Sequence, residues 1–166
     1  HRFSWTSFIM NGNRNGGGTP MRHYDIYLLE DDVAREYRVK EQLLFRLFCE
    51  AVKETDPDRS QILQKQIAYI THPIPAEHIG RILRQNPRVQ KRGDELFIQH
   101  RDDGFVRLRL GHDRIIMYAS GNKGAETFVF ETLRRIHPHF LAVDYQDLRS
   151  AWLRPFRKLL LYDDLA

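Results

Sequence analysis

Eight histidines, one cysteine and 26 lysines and arginines are the side chains of this 166-residue chain from which chemistry could be built. His137 and His139 flank a proline, and a His-Pro-His run could bring two imidazoles to one cation. The proline makes chelation by both rings awkward, no H-E-x-x-H or C-x-x-C spacing accompanies the pair, and no third ligand is indicated, so no metal site is expected. Cys49 lies in the apolar run "LLFRLFCEAV" with no histidine or motif beside it, and reads as a small buried hydrophobe rather than an activated thiol. The segment "SGNKGAE", residues 120–126, sits between a strand-like and a helix-like stretch, where a phosphate-cradling loop would sit. Its spacing fits neither G-x-x-x-x-G-K-[ST] nor G-x-G-x-x-G, so it reads as a tight turn followed by a helix start. No Ser/His/Asp set or carboxylate pair is singled out by its spacing. No catalytic residue and no cofactor is expected.

The basic residues allow a second chemistry. Arg81, Arg84, Arg88, Lys91 and Arg92 cluster, and Arg107, Arg109 and Arg114 fall on neighbouring strand-like segments. A nucleic-acid-binding module using this basic strand face is the alternative reading. Asp94, Glu95, Asp102, Asp103 and Asp113 are interleaved with the cations, and a phosphate-binding surface carries less competing negative charge. The net charge of +4 comes from 26 basic and 22 acidic residues, so both signs are abundant. Direct nucleic-acid binding is therefore not expected, and a solvated mixed-sign face is.

The elements that must position any site follow from composition and period. With 42% hydrophobic and 11% aromatic residues the chain can build one sizeable core. A single cysteine excludes an internal disulfide and fits a reducing, cytoplasmic home. No apolar stretch approaches the ~20 residues needed to span a bilayer, so no membrane partner is expected. Residues 1–20, "HRFSWTSFIMNGNRNGGGTP", show no helical or strand period and are read as a flexible leader, a candidate non-native segment. Met21 reads as the natural beginning, and residues 21–166 as a single domain.

"RHYDIYLLE" reads as the first strand. Asp31 and Asp32 open a helical stretch in which Leu44, Leu47, Phe48 and Ala51 recur at helical spacing. Asp56-Pro57 separates it from a second helix over residues 59–71, with Leu63, Ile67 and Ile70 as its apolar stripe. Pro73 and Pro75 stop that helix, and Pro75 opens a short third one with Ile79, Ile82 and Leu83 inward. From Val89 the period changes to two. Asp103-Gly104 is a hairpin signal, Val106, Leu108 and Leu110 alternate with Phe105, Arg107 and Arg109, and residues 115–119 form a more apolar strand. "AETFVFETLRRI" is an amphipathic helix with Ala125, Phe128, Val129, Leu133 and Ile136 inward, and residues 140–145 close with a buried strand. The fold class expected is α+β: one domain, a central mixed β-sheet of about five strands with helices packed on it.

One helix face does not fit a purely structural role. At ~100° per residue Gln66 falls at the edge of the second helix's apolar stripe, while Ile62 and Tyr69 lie further round, away from the core. Gln66 and Tyr69 are three apart and share a face. A tyrosine there offers a large rigid apolar area and one hydroxyl, which suits an anchor for a partner protein.

The blocks "MRHYDIYLLEDDVAREY", "KQIAYITHPIP", "YASGNKGAETFVFETLRRI", "FLAVDY" and "WLRP" resemble, in order and spacing, the family of the sporulation inhibitor of replication, SirA, of endospore-forming bacteria. The resemblance runs from Met21 to about Pro155. Residues 84–103 match less well, and the tail "FRKLLLYDDLA" extends beyond the pattern. The resemblance implies an inhibitor of replication initiation that acts by binding the N-terminal domain (domain I) of the replication initiator DnaA. A protein that is a monomer when free is expected, and no cofactor is needed because binding is itself the mechanism. The family's partner-binding surface falls on Val33, Tyr37, Gln66 and Tyr69. The family usually carries a larger aromatic residue where this chain has Val33. A helix unbroken from Asp32 to Lys53 would align Tyr37 with Leu44 and Phe48 and bury it, so the implied surface requires a break at residues 38–40, where Val39 stands instead of a glycine.

Overall fold

The computed structural model describes residues 21–100 and 104–154. The proposed leader, the Asp103 half of the hairpin signal and the tail from residue 155 lie outside the described residues. The central element is strand β1, Arg22–Leu29. Its alternation sends Tyr24, Ile26 and Leu28 into one apolar cluster and Tyr27 and Leu29 into another. A strand apolar on both faces must be covered on both faces, and β1 lies inside a sheet with helices on either side.

Seven further strands complete that sheet: β2 (Thr71–His72), β3 (Val89–Arg92), β4 (Glu95–Gln99), β5 (Phe105–Leu110), β6 (Ile115–Ser120), β7 (Phe140–Asp144) and β8 (Arg149–Trp152). The order is β3-β4-β5-β6-β1-β7-β8, with the two-residue β2 paired to the end of β1. Every pairing is antiparallel. The α+β class expected from the sequence holds, but the sheet has eight strands rather than about five and is not mixed. β6 and β7 run the same way, but β1 lies between them and is antiparallel to both. The pairs β3–β4, β5–β6 and β7–β8 are each joined by a short turn. Between Arg92 and Glu95, Gly93 adopts φ 63° at the first position of a two-residue hairpin loop, a conformation that glycine takes without steric cost.

Among the described residues there are five helices: α1 (Asp31–Glu36), α2 (Glu41–Lys53), α3 (Pro57–Ile70), α4 (Ala76–Leu83) and α5 (Gly124–Ile136). On one face α4 and α5 bring Ile79, Leu83, Ala125, Val129, Phe130 and Leu133 against Ile98, Val106, Leu108 and Met117. On the other face α1, α2 and α3 cover β1, β7 and β8. There Phe48 stacks on Tyr27 with ring centroids 4.2 Å apart, and Ala34 and Leu44 meet Leu141, Val143 and Trp152. Polar groups enter the core in pairs. Glu126, fully buried, accepts from Arg22 Nε at 2.8 Å and from the Tyr24 hydroxyl at 2.7 Å. Asp25 meets Arg114 at 3.1 Å, and Arg114 donates to the Tyr27 hydroxyl at 3.0 Å.

Candidate partner-binding surface

Helix α3 is held by its ends more than by its middle. The Asp56 side chain accepts from the Arg59 N–H at 3.3 Å, and Pro57 begins the helix where a missing donor costs nothing. At the other end the Thr71 hydroxyl donates to the Ile67 carbonyl at 2.8 Å. Thr71 and His72 then pair with β1, so the helix stops one residue earlier than expected and before either proline. Pro75 is the residue immediately preceding α4, one position outside it. Along α3 only Leu63 is buried, with Ile67 and Ile70 half-buried beside it. This narrow inward stripe leaves Gln66 exposed, Ile62 57% exposed and Tyr69 85% exposed. Leu47, Ile62, Lys65, Gln66, Tyr69 and Ile70 line a shallow groove of about 460 Å³. Leu47 was expected in the core. It is half-buried and forms the α2 wall of this groove, because α3 packs alongside α2 without covering it.

The chain between α1 and α2 does break. α1 ends at Glu36, and Tyr37 through Val39 form turns before α2 begins at Glu41. No glycine is needed because tertiary contacts hold the break. The Trp152 indole N–H donates to the Arg38 carbonyl at 3.1 Å, and the Arg38 guanidinium lies 5.0 Å above the same ring. That guanidinium also donates to the Pro138 carbonyl at 3.2 Å and to the Arg154 carbonyl at 3.0 Å. Val39 faces solvent, 54% exposed. With the helix broken, Tyr37 does not continue the buried line of Leu44 and Phe48. Val33 and Tyr37 are both half-buried, at the edge of the apolar cluster that Ile67 and Ile70 also border. The Glu30 N–H donates to the Ile70 carbonyl at 2.9 Å, which ties the start of α1 to the end of α3. The four residues thus stand on two adjoining elements, the α3 pair in solvent and the α1 pair at the margin of the core. Sequence reasoning missed the Arg38–Trp152 lock, whose partners are 114 residues apart and carry no local signal.

Residues 22–157 match the family model described as "Sporulation inhibitor of replication protein SirA". The chain belongs to the SirA family. A relative in Bacillus subtilis (strain 168), named Sporulation inhibitor of replication protein SirA, is 32% identical over 142 residues, which is 82% of this chain and 96% of that protein.

The remaining candidate chemistries in this SirA-family chain have structural explanations nearby. In "SGNKGAE" Gly121 turns the chain at φ 68°, the Asn122 side chain accepts from the Gly124 N–H at 2.8 Å, and α5 starts there. Cys49 is half-buried rather than buried, and burial raises its thiol pKa, the opposite of activation. On the strand face Arg107 and Arg109 pair with Glu95 and Asp94 at 3.6 and 3.7 Å, and on α4 Arg81 pairs with Glu77 at 3.6 Å. Arg92 and Arg107 lie over the rings of Phe97 and Tyr118. These cations are matched by local partners, which weighs against a phosphate-binding face. Among the described residues no helix is long and apolar enough to cross a membrane. The His137–His139 pair gains a neighbour that the sequence did not reveal: Asp31, whose carboxylate lies 2.8 Å from His139 Nδ1.

Proposed function

We propose that this chain is a cytoplasmic, non-catalytic inhibitor of chromosome replication during sporulation, and that it acts by binding domain I of the replication initiator DnaA. The first part of this reading is supported by the name of its Bacillus subtilis relative. The second rests on the family resemblance and on one observation: Tyr69, 85% exposed, stands beside the exposed Gln66 on the rim of an apolar groove. An exposed tyrosine next to an apolar groove supplies contact area that a partner can desolvate, and a few such anchors carry most of the energy of an interface. Covering this patch occupies the initiator's own surface and excludes its productive contacts, so binding is itself the mechanism and needs no cofactor. Val33 and Tyr37 extend the patch along α1, with Val33 contributing less because valine presents less area than an aromatic residue.

Co-elution with purified cognate domain I tests the proposal. Parent and Tyr69→Ala should both be folded, and the substitution should weaken binding by about 2 kcal/mol or more, roughly thirtyfold in Kd. A Tyr69→Ala chain that binds domain I as tightly as the parent contradicts the assignment of the surface. A folded parent that does not bind domain I at all contradicts the assignment of the partner.

A further inference from the structure

We propose that Asp31, His137 and His139 form a binding site for one divalent transition-metal ion of the zinc class. Each residue offers one donor atom, and the donors lie within 4.8 Å of one another. They come from three different element ends that converge beside the end of β1. His137 follows the last residue of α5, its N–H bonded to the Leu133 carbonyl at 3.1 Å. His139 precedes β7, and its carbonyl accepts the Leu29 N–H at 3.0 Å. Asp31 opens α1, immediately after Glu30, whose N–H is held by the Ile70 carbonyl. The backbones are therefore fixed by the sheet and helices before any ion binds.

The proline that counted against chelation by a free His-Pro-His peptide does not act that way here. The two rings stand edge to face at 65°, with centroids 5.0 Å apart. Asp31 supplies the third ligand that the sequence did not indicate. The His139 Nδ1–Asp31 Oδ1 separation is 2.8 Å, and the ring nitrogen is sealed from solvent. Donors bound at ~2.0–2.2 Å around a tetrahedral cation lie about 3.4 Å apart, and rotation of the three side chains covers the difference. His137 Nδ1 accepts the His139 backbone N–H at 3.1 Å, a contact that coordination through that atom would replace.

The donor set selects the ion class. Two imidazoles and one carboxylate suit zinc, cobalt, nickel or copper, whereas magnesium and calcium favour oxygen ligands throughout. Three protein ligands leave the remaining positions to water. A bound ion would cross-link the first residue of α1 to the turn between α5 and β7. The inference is independent of the partner reading, although the clamp would steady the helix that carries Val33 and ends against Tyr37.

The test uses the full chain without a histidine tag, stripped by a chelator and titrated with Co²⁺ under visible absorption and with Zn²⁺ under calorimetry. Saturation at one equivalent, displacement of Co²⁺ by Zn²⁺ and a higher melting temperature with Zn²⁺ are expected. Asp31→Asn and His139→Gln should each weaken binding at least about tenfold, the lower end of what even outer partners of metal ligands cost. If His139→Gln does not fold, Asp31→Asn, which changes an exposed carboxylate to its isosteric amide, decides. Absence of saturable uptake by the parent overturns the proposal. So does one-equivalent uptake that Asp31→Asn leaves unchanged, which would place the ion on other histidines.

Discussion

At the scale of single residues, the exposed side chains of α3 are free for a partner, and the buried carboxylate of α5 belongs to the fold. Tyr69, Ile62 and Gln66 stand where a 100° turn per residue puts them, because α3 packs by one narrow stripe. Glu126 looks in the sequence like a favourable first-turn charge on α5, and it is fully buried against Arg22, 104 residues away. No local pattern reports such a pairing. Removing one member of a buried ion pair leaves the other uncompensated. Glu126→Gln should therefore destabilise the chain by about 3 kcal/mol in a denaturant melt, and the loss should exceed that of any exposed charge substitution on α5.

At the scale of elements, helix and strand identities followed from period and turn residues, and their exact limits followed from tertiary contacts. The break between α1 and α2 illustrates this. Propensity at Tyr37 to Lys40 favours continuing the helix, and the Trp152 indole overrides it by taking the Arg38 carbonyl. Trp152→Phe keeps most of the apolar area and deletes that bond. The expected cost is about 1 kcal/mol of stability, with faster amide exchange over residues 37–40 than elsewhere in α1 and α2. Unchanged exchange there would mean that the break is set by something other than this lock. The strands β2, β3 and β8 escaped sequence reading, and for β2 and β8 the reason is related. β2 is two residues long and exists because β1 has an open edge beside it, and β8 is short and follows a turn in which Leu148 adopts φ 52°. Val33 and Tyr37 were implied by resemblance alone, and helix periodicity on its own would have buried Tyr37.

At the scale of the whole molecule, the sequence conveyed the α+β class, and it could not convey that the first strand would insert between β6 and β7 and make every pairing antiparallel. That insertion buries β1 on both faces together with the phenols of Tyr24 and Tyr27, and Tyr145 hydrogen-bonds Tyr27 at 2.8 Å. Burial raises the pKa of all three, with the Glu126 charge adding to the effect at Tyr24. A phenol whose folded pKa lies above its unfolded value contributes fully below the unfolded value, near 10, and loses that contribution as pH rises beyond it. Stability should thus hold up to about pH 10 and fall steeply above it, with phenolate absorbance of the buried tyrosines appearing together with loss of helical circular dichroism. Phenolate absorbance from those tyrosines well before unfolding would contradict their burial.

The central claim is that an exposed amide and phenol on α3 are the anchor for the initiator's N-terminal domain. The most direct measurement is a calorimetric titration of cognate DnaA domain I into the parent chain and into a Gln66→Ala/Tyr69→Ala double variant of matched melting temperature. A saturable one-to-one isotherm for the parent, lost or weakened by more than about thirtyfold in the variant, is the result predicted. Identical isotherms for both, or no heat from the parent, would contradict it.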